Sequence, residues 1–337
     1  MRGLIIGALG AFLLALPAAS AVGADAGAAE AARLKDETRR LRAELAKSRA
    51  EIRELQRRLA DAQAAMRRVE AQVARALAQT TRPAPTTRPG GALEIRVEDG
   101  GWGGAGTRDI QKVLLSTAGE LWKHFPDRRL APIVVRHSSR GPITLFRRGG
   151  GGEHVVKLDV EGTFWCQFAY QFAHEFCHIL TNYSERAPRE HQWLVESLCE
   201  AASVYAIGRM SESWKTAPPY PNWKGYSGAL AKYAENLRKK KSEEVPAGET
   251  LADWYRKNAP ELRKSPYQRD KNRLVARHLL GLLEKSPEHW RAVGYLNHRE
   301  PDASKGFAGF LSAWRDESPK RHKPFVEAVA GLFAVKL

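Results

Sequence analysis

The sequence predicts an α+β fold in which a small mixed sheet precedes a pair of helices and a mostly helical C-terminal lobe, with a long coiled-coil helix ahead of them all. Three observations carry that prediction. Short alternating or β-branched runs separated by turns occupy residues 93–160. From residue 163 onward the apolar spacing changes to three and four, and a seven-residue repeat runs from Leu34 to Ala76; periods of 2, 3.6 and 3.5 mark strand, helix and coiled coil respectively.

In chain order, residues 1–24 read as a secretory signal peptide. Met1-Arg2 is followed by an apolar stretch from Leu4 to Leu16, then by small residues through Ala19-Ser20-Ala21 and Val22-Gly23-Ala24 that offer two cleavage sites. The expectation is export, to a periplasm or to the exterior. A retained signal anchor is the alternative, although the apolar run is shorter than the ~20 residues a spanning helix needs. Residues 28–79 form the predicted coiled coil: Leu34, Leu41, Ser48, Leu55, Ala62, Val69 and Ala76 fall on one seam position. Thr38, Leu45, Ile52, Leu59, Met66 and Val73 fall on the other, and all but Ser48 and Thr38 are apolar. Such a seam predicts a homo-oligomer or a rod-like spacer. Residues 80–91, with Pro83, Pro85 and Pro89 among the four threonines Thr80, Thr81, Thr86 and Thr87, read as an extended linker.

Residues 92–337 are long enough to bury a core as one domain of two close parts, sheet and helix pair at 92–210 and a helical lobe at 211–337. Strands are predicted at Leu93–Val97, Pro132–Val135, Ile143–Phe146 and His154–Val160, with a helix over Arg108–Phe125. A helix from Thr163 to Tyr183 carries Phe164, Trp165, Phe168, Phe172, Phe176, Ile179 and Leu180, an apolar load that belongs in a core. A second helical stretch surrounds 191–200, and Tyr226–Lys241, Leu251–Asn258, Tyr267–Glu284, Gly306–Asp316 and Pro324–Val335 show helical spacing.

The formal net charge is +16, spread along the chain rather than gathered in one block. A run such as Arg238-Lys239-Lys240-Lys241 suits a solvated basic face, acidic substrates or an anionic envelope surface. Export disfavours nucleic acid as a partner. Cys166, Cys177 and Cys199 are an odd set; buried free thiols are the expectation, with a Cys177–Cys199 bridge as the alternative in an oxidising compartment.

The most informative segment is His174-Glu175-Phe176-Cys177-His178. Composition alone would produce an HExxH pattern roughly 0.02 times in such a chain. On a helix, positions i and i+4 lie one above the other, so both imidazoles can meet one metal ion with the intervening carboxylate beside them. A catalytic zinc needs three protein ligands and one open position. The stretch from Trp193 to Glu200 offers Glu196 and Glu200 at i and i+4, separated from the first motif by a turn containing Pro188.

HEFCH at 174–178 and WLVESLCE at 193–200 together resemble the gluzincin branch of the zincin metallopeptidases, the group of thermolysin and the zinc aminopeptidases. The resemblance implies a zincin-like fold, zinc held by His174, His178 and Glu196, Glu175 as general base, and Glu200 as the carboxylate behind a ligating histidine. It also makes the strand His154–Val160, by its position, the candidate for the rim along which an extended chain would pair. The spacing to Glu196 is one residue shorter than in several relatives, which leaves Glu200 as a rival ligand. The specific part of the likeness is short, and nothing in the C-terminal third shares in it. The implied activity is hydrolysis of peptide bonds in a peptide or protein substrate by a secreted zinc enzyme. Tyr205, Tyr226, His278 and His298 are candidates for an oxyanion donor. The alternative is an exported scaffold that keeps the motif without turnover, against which the intact Glu175 argues.

Overall fold

The computed structural model describes residues 33–48, 50, 51, 54, 93–185, 187–239 and 244–337. The signal segment 1–24, the linker 80–91, most of the predicted coiled coil, and Lys240 and Lys241 of the basic run lie outside the described residues. Two compact units divide the chain, Met1–Arg82 and Pro83–Leu337. In the first, residues 33–48 are helical and the seam residues Leu34, Leu41 and Leu45 are exposed. Its internal support is local: the Thr38 hydroxyl donates to the Leu34 carbonyl at 2.7 Å, and Arg40 meets Glu44 one turn on at 3.4 Å. Among the described residues, no helix is long and apolar enough to cross a membrane.

The second unit is mixed α and β, and mostly helical. Its sheet has four strands, β1 (Ile95–Val97), β2 (Ile133–His137), β3 (Ile143–Thr144) and β4 (His154–Leu158), in the order β1-β2-β4-β3. The first three neighbours run parallel, with Ile95 opposite Ile133 and Ile133 opposite His154. β3 is antiparallel to β4, with Ile143 opposite Lys157, and one further bond, Leu145 N–H to the Val155 carbonyl at 2.9 Å, extends the ladder. The edges of the sheet are therefore β1 and β3, and β3 is the edge whose Thr144 meets Glu175. The segment His154–Val160, predicted for that place, is interior, flanked by β2 and β3. The physical reason is the glycine turn at 149–152: Gly152 sits at φ 83 and its N–H donates to the Gly149 carbonyl. That turn folds β3 back as a hairpin partner on the one flank of β4 that β2 leaves free.

Helix α1 (Thr107–Trp122) presents Ile110, Val113, Leu114, Ala118 and Leu121 to the core, all fully buried as their spacing predicts. Gln111 ties it to the sheet by donating to the Ile95 carbonyl at 2.6 Å. Helix α2 (Trp165–Leu180) is shorter than the predicted 163–183. Asn182 adopts φ 56, and its side-chain amide donates to the Gly294 and Leu296 carbonyls at 2.8 and 2.9 Å, so the chain turns left-handed and stops the helix. Arg128 completes that end by donating to the carbonyls of Leu180 and Ile179 and to Asn182 Oδ1.

Helix α3 (Gln192–Ser213) runs well past the predicted stretch and is buried around nearly its whole circumference, from Trp193 and Leu194 to Ile207 and Met210. A helix covered on every side is the centre of a domain. The remaining helices, α4 (Ser227–Arg238), α5 (Leu251–Lys264), α6 (Arg269–Lys285), α7 (Trp290–Val293), α8 (Gly306–Glu317) and α9 (Lys323–Leu332), make up the helical lobe. α5 continues past the predicted Asn258 and through Pro260, which forfeits one intrahelical bond. The capping box of Thr250 and Asp253 at its start and the fully buried Leu262 near its end hold it together.

Candidate metal centre

α2 and α3 pack antiparallel: Tyr170 O accepts from Ser203 at one end of the contact, while His178 lies beside Glu196 at the other. This register brings His174, His178 and Glu196 together. Glu196 Oε2 is 3.2 Å from His174 Nε2, and Glu196 Oε1 is 3.6 Å from His178 Nε2. Three donors arranged tetrahedrally at about 2.0–2.1 Å from one zinc ion would stand about 3.3 Å apart, and the two contacts of Glu196, made through different oxygens of its carboxylate, are of that order. All three side chains are nearly buried, and Glu196 is among the buried charged residues of the core.

Electrostatics separates the members. Burial disfavours the Glu196 carboxylate, but the His174 hydrogen bond and the two imidazoles outweigh it and hold Glu196 below the usual carboxylate range. Burial likewise opposes charge on His174, yet the bond to Glu196 and the charges of Glu175, Glu200 and Glu196 push that imidazole up to about 9. His178 goes the other way: burial, with the neighbouring His174, pulls it down to about 4 against the attraction of Glu196. The two imidazoles are thus shifted in opposite directions, His174 toward the protonated ring and His178 toward the neutral one.

Glu200 does not reach the shared point. It stands behind His174, its Oε1 4.0 Å from Nδ1, the nitrogen that faces away from Glu196. The Tyr170 hydroxyl donates to Glu200 Oε2, Arg273 Nε on α6 lies 3.6 Å from the same oxygen, and Arg273 also donates to Tyr170 at 3.2 Å. Burial, followed by the charge and bond of Glu200, raises the Tyr170 phenol, so it stays a donor. The rival assignment of Glu200 as ligand is therefore not favoured by the geometry: its carboxylate serves Tyr170, Arg273 and the far side of His174.

Glu175 points to the sheet. Its Oε2 lies 2.8 Å from the Thr144 hydroxyl on β3 and its own carbonyl lies 2.9 Å from the same hydroxyl, whose single proton can go to either. Burial pushes this carboxyl up to about 6, against the pull of His174 and of Thr144 and with help from Glu196. A carboxylate with that proton affinity is well matched to accepting a proton near neutral pH.

Other groups lie close to these side chains. The Cys199 thiol lies within 4.8 Å of nitrogens of both His174 and His178, and it is buried. Burial, Cys177 and the nearby carboxylates push that thiol well above its ordinary range. Cys166, Cys177 and Cys199 are all free and buried, as expected, and no bridge joins Cys177 to Cys199. The Tyr183 ring packs at a tilt against His178, 4.6 Å between centroids, and against Phe146 at 4.5 Å. The four candidates for an oxyanion donor are engaged or placed elsewhere: Tyr205 with His124 at 3.1 Å, Tyr226 with Cys166, His298 beside Glu317 at 3.9 Å, and His278 on α6 with no contact to the donor set. Tyr170 and Cys199 were accessible in principle, one turn before His174 and three residues after Glu196 on the same helix faces; Arg273 and Thr144 were not.

Comparison with protein-family models, with curated proteins and with solved structures finds no match for this chain.

Proposed function

We propose that the protein is a zinc-dependent metallopeptidase of the gluzincin type, with a zincin-like fold, His174, His178 and Glu196 as metal ligands, Glu175 as general base and Glu200 orienting His174. The observation that carries the reading is the Glu196 carboxylate set between two imidazoles of a neighbouring antiparallel helix, at 3.2 and 3.6 Å. A bound zinc ion would supply a Lewis acid that lowers the pKa of a water to about 7 and polarises a carbonyl. The chain's own residues do the rest. Glu175, poised near neutrality, takes a proton during attack on the scissile carbonyl and returns it to the leaving amine. Glu200, fixed by Tyr170 and Arg273, holds the orientation of His174. The rim of β3 offers backbone groups along which an extended peptide can pair without regard to sequence. The basic surface suits association with an anionic envelope, and the exposed leucines of residues 33–48 suit pairing with a second copy after export.

The test is metal content together with turnover. The purified protein should carry about one zinc per chain and cleave casein or a peptide library in a chelator-sensitive way. Glu175→Gln should lower cleavage by at least about a hundredfold while zinc stays bound. Zinc retained with no peptide cut under any condition would leave a binding protein in place of the enzyme.

A further inference from the structure

Beside His178 a cleft of about 380 Å³ opens toward β3, and its lining is chemically lopsided. Arg128, Arg129 and Arg148 border it together with His154, and no Asp or Glu is among the lining residues. Arg128 is occupied with the carbonyls that end α2. Among the described residues, Arg129 and Arg148 have neither a hydrogen-bonding nor an ion-pair partner. The convergence of positive charge is felt by His154, which burial and then Arg148 and Arg128 pull down to about 4, so this imidazole adds no compensation of its own. The lining also includes Phe146, exposed, and Tyr183, whose rings pack together and form an aromatic wall that continues directly from His178.

We infer that this cleft selects substrates bearing a carboxylate close to the scissile bond, with Arg129 and Arg148 as the specificity-determining residues. The inference rests on the peptidase reading of the metal centre. An anion placed between unpaired guanidiniums makes charge-assisted, often bidentate hydrogen bonds, while apolar stems gain from the aromatic wall. A neutral or basic side chain would leave the arginines unmatched and, if basic, repelled. Two sources can supply the group, a Glu or Asp side chain or the free end of a peptide chain, and the recognition chemistry is common to both.

The experiment uses the zinc-loaded full chain and a fluorescent peptide cut by the wild type, prepared with Glu or with Gln next to the cleaved bond, each with a free or an amidated end. Binding is read by anisotropy on Glu175→Gln, which separates recognition from turnover. The Glu form, the free-ended form, or both should bind about tenfold more tightly than the neutral counterpart, with the gain shrinking as salt rises. Arg129→Ala with Arg148→Ala should erase that gain, whereas Arg147→Ala, on the same exposed segment but outside the lining, should leave it intact. A gain confined to the internal Glu assigns the pair to side-chain carboxylates, and one confined to the free end assigns it to chain termini. Equal binding of all four peptides, or a gain that survives the double substitution, overturns the inference even if the wild type cleaves every one. If the wild type cleaves no peptide of any charge, it is the peptidase reading that fails.

Discussion

His174 and His178 sit one turn apart on the same helix and flank the same carboxylate, yet the protein supports them by opposite means. Behind His174 stands a polar column, Glu200 with Tyr170 and Arg273, that reaches from α2 through α3 to α6. Behind His178 there is the Tyr183 ring, and the His178 Nδ1 atom is buried with no hydrogen-bond partner. One ring is aimed by charge and the other by packing. The proton affinities follow, about 9 for the first and about 4 for the second. Two histidines that look equivalent in sequence are thus built as one ring that is costly to remove and one that is costly to keep.

The largest effect that would break this comparison is on folding of the metal-free protein. His174→Ala leaves Glu196 and Glu200 buried without their shared cation and should destabilise the protein by about 3–5 kcal/mol at neutral pH. His178→Ala opens a cavity but also removes an unpartnered polar atom, so its cost should be smaller, about 2 kcal/mol. Urea unfolding of both variants decides; equal losses would mean that the column behind His174 contributes no stability. A smaller effect concerns metal retention. Tyr170→Phe and Arg273→Ala should weaken zinc binding about 10–100-fold in a chelator competition, with Arg273→Lys recovering part of the loss, while Tyr183→Leu should leave zinc affinity within a few-fold of the wild type. Indistinguishable zinc affinities for Arg273→Ala and Tyr183→Leu would show that the asymmetry stops at geometry.

How much of this was legible beforehand differs along the same line. The two imidazoles, Glu175 and Glu196 were readable because helical spacing is local: four residues make one turn, and a turn with Pro188 separates two such faces. The order of elements was readable for the same reason. Arg273 is 73 positions beyond Glu200, and no local rule places a residue of α6 behind α3. Strand order was hidden as well. β3 has two residues and β4 five, and which of them forms the rim depends on a hairpin closing over a glycine turn, not on either strand's own pattern. The end of α2 was overestimated because Tyr183 continues the apolar pattern, whereas the stop comes from an asparagine whose partners, Gly294 and Leu296, lie in the other lobe.

The smallest effect lies away from the donor set and sharpens the contrast between neutral and charged histidines. Burial is the main cause that lowers His124, His154 and His322 to about 4, aided by neighbouring cations. Unfolded, these rings would take up protons near pH 6.5, so the unfolded chain binds more protons than the fold between about 6.5 and 4. Stability is therefore fully present above about pH 6.5 and is lost as pH falls toward 4. Each ring contributes on the order of 1 kcal/mol after allowance for partial solvent screening. Thermal unfolding from pH 7 to 4.5 should show a falling midpoint, and His154→Gln should flatten the slope slightly; an unchanged slope would remove His154 from the account.

Thr144 links the rim to the helix through one hydroxyl shared between the carbonyl and the carboxyl group of Glu175. Displacing the edge of the sheet by a fraction of an ångström would redirect that proton, and with it the basicity of a residue on another element. Variation at Ile143, an exposed position next to Thr144, is thus a route by which the working pH of the centre can drift in evolution or be dialled by design.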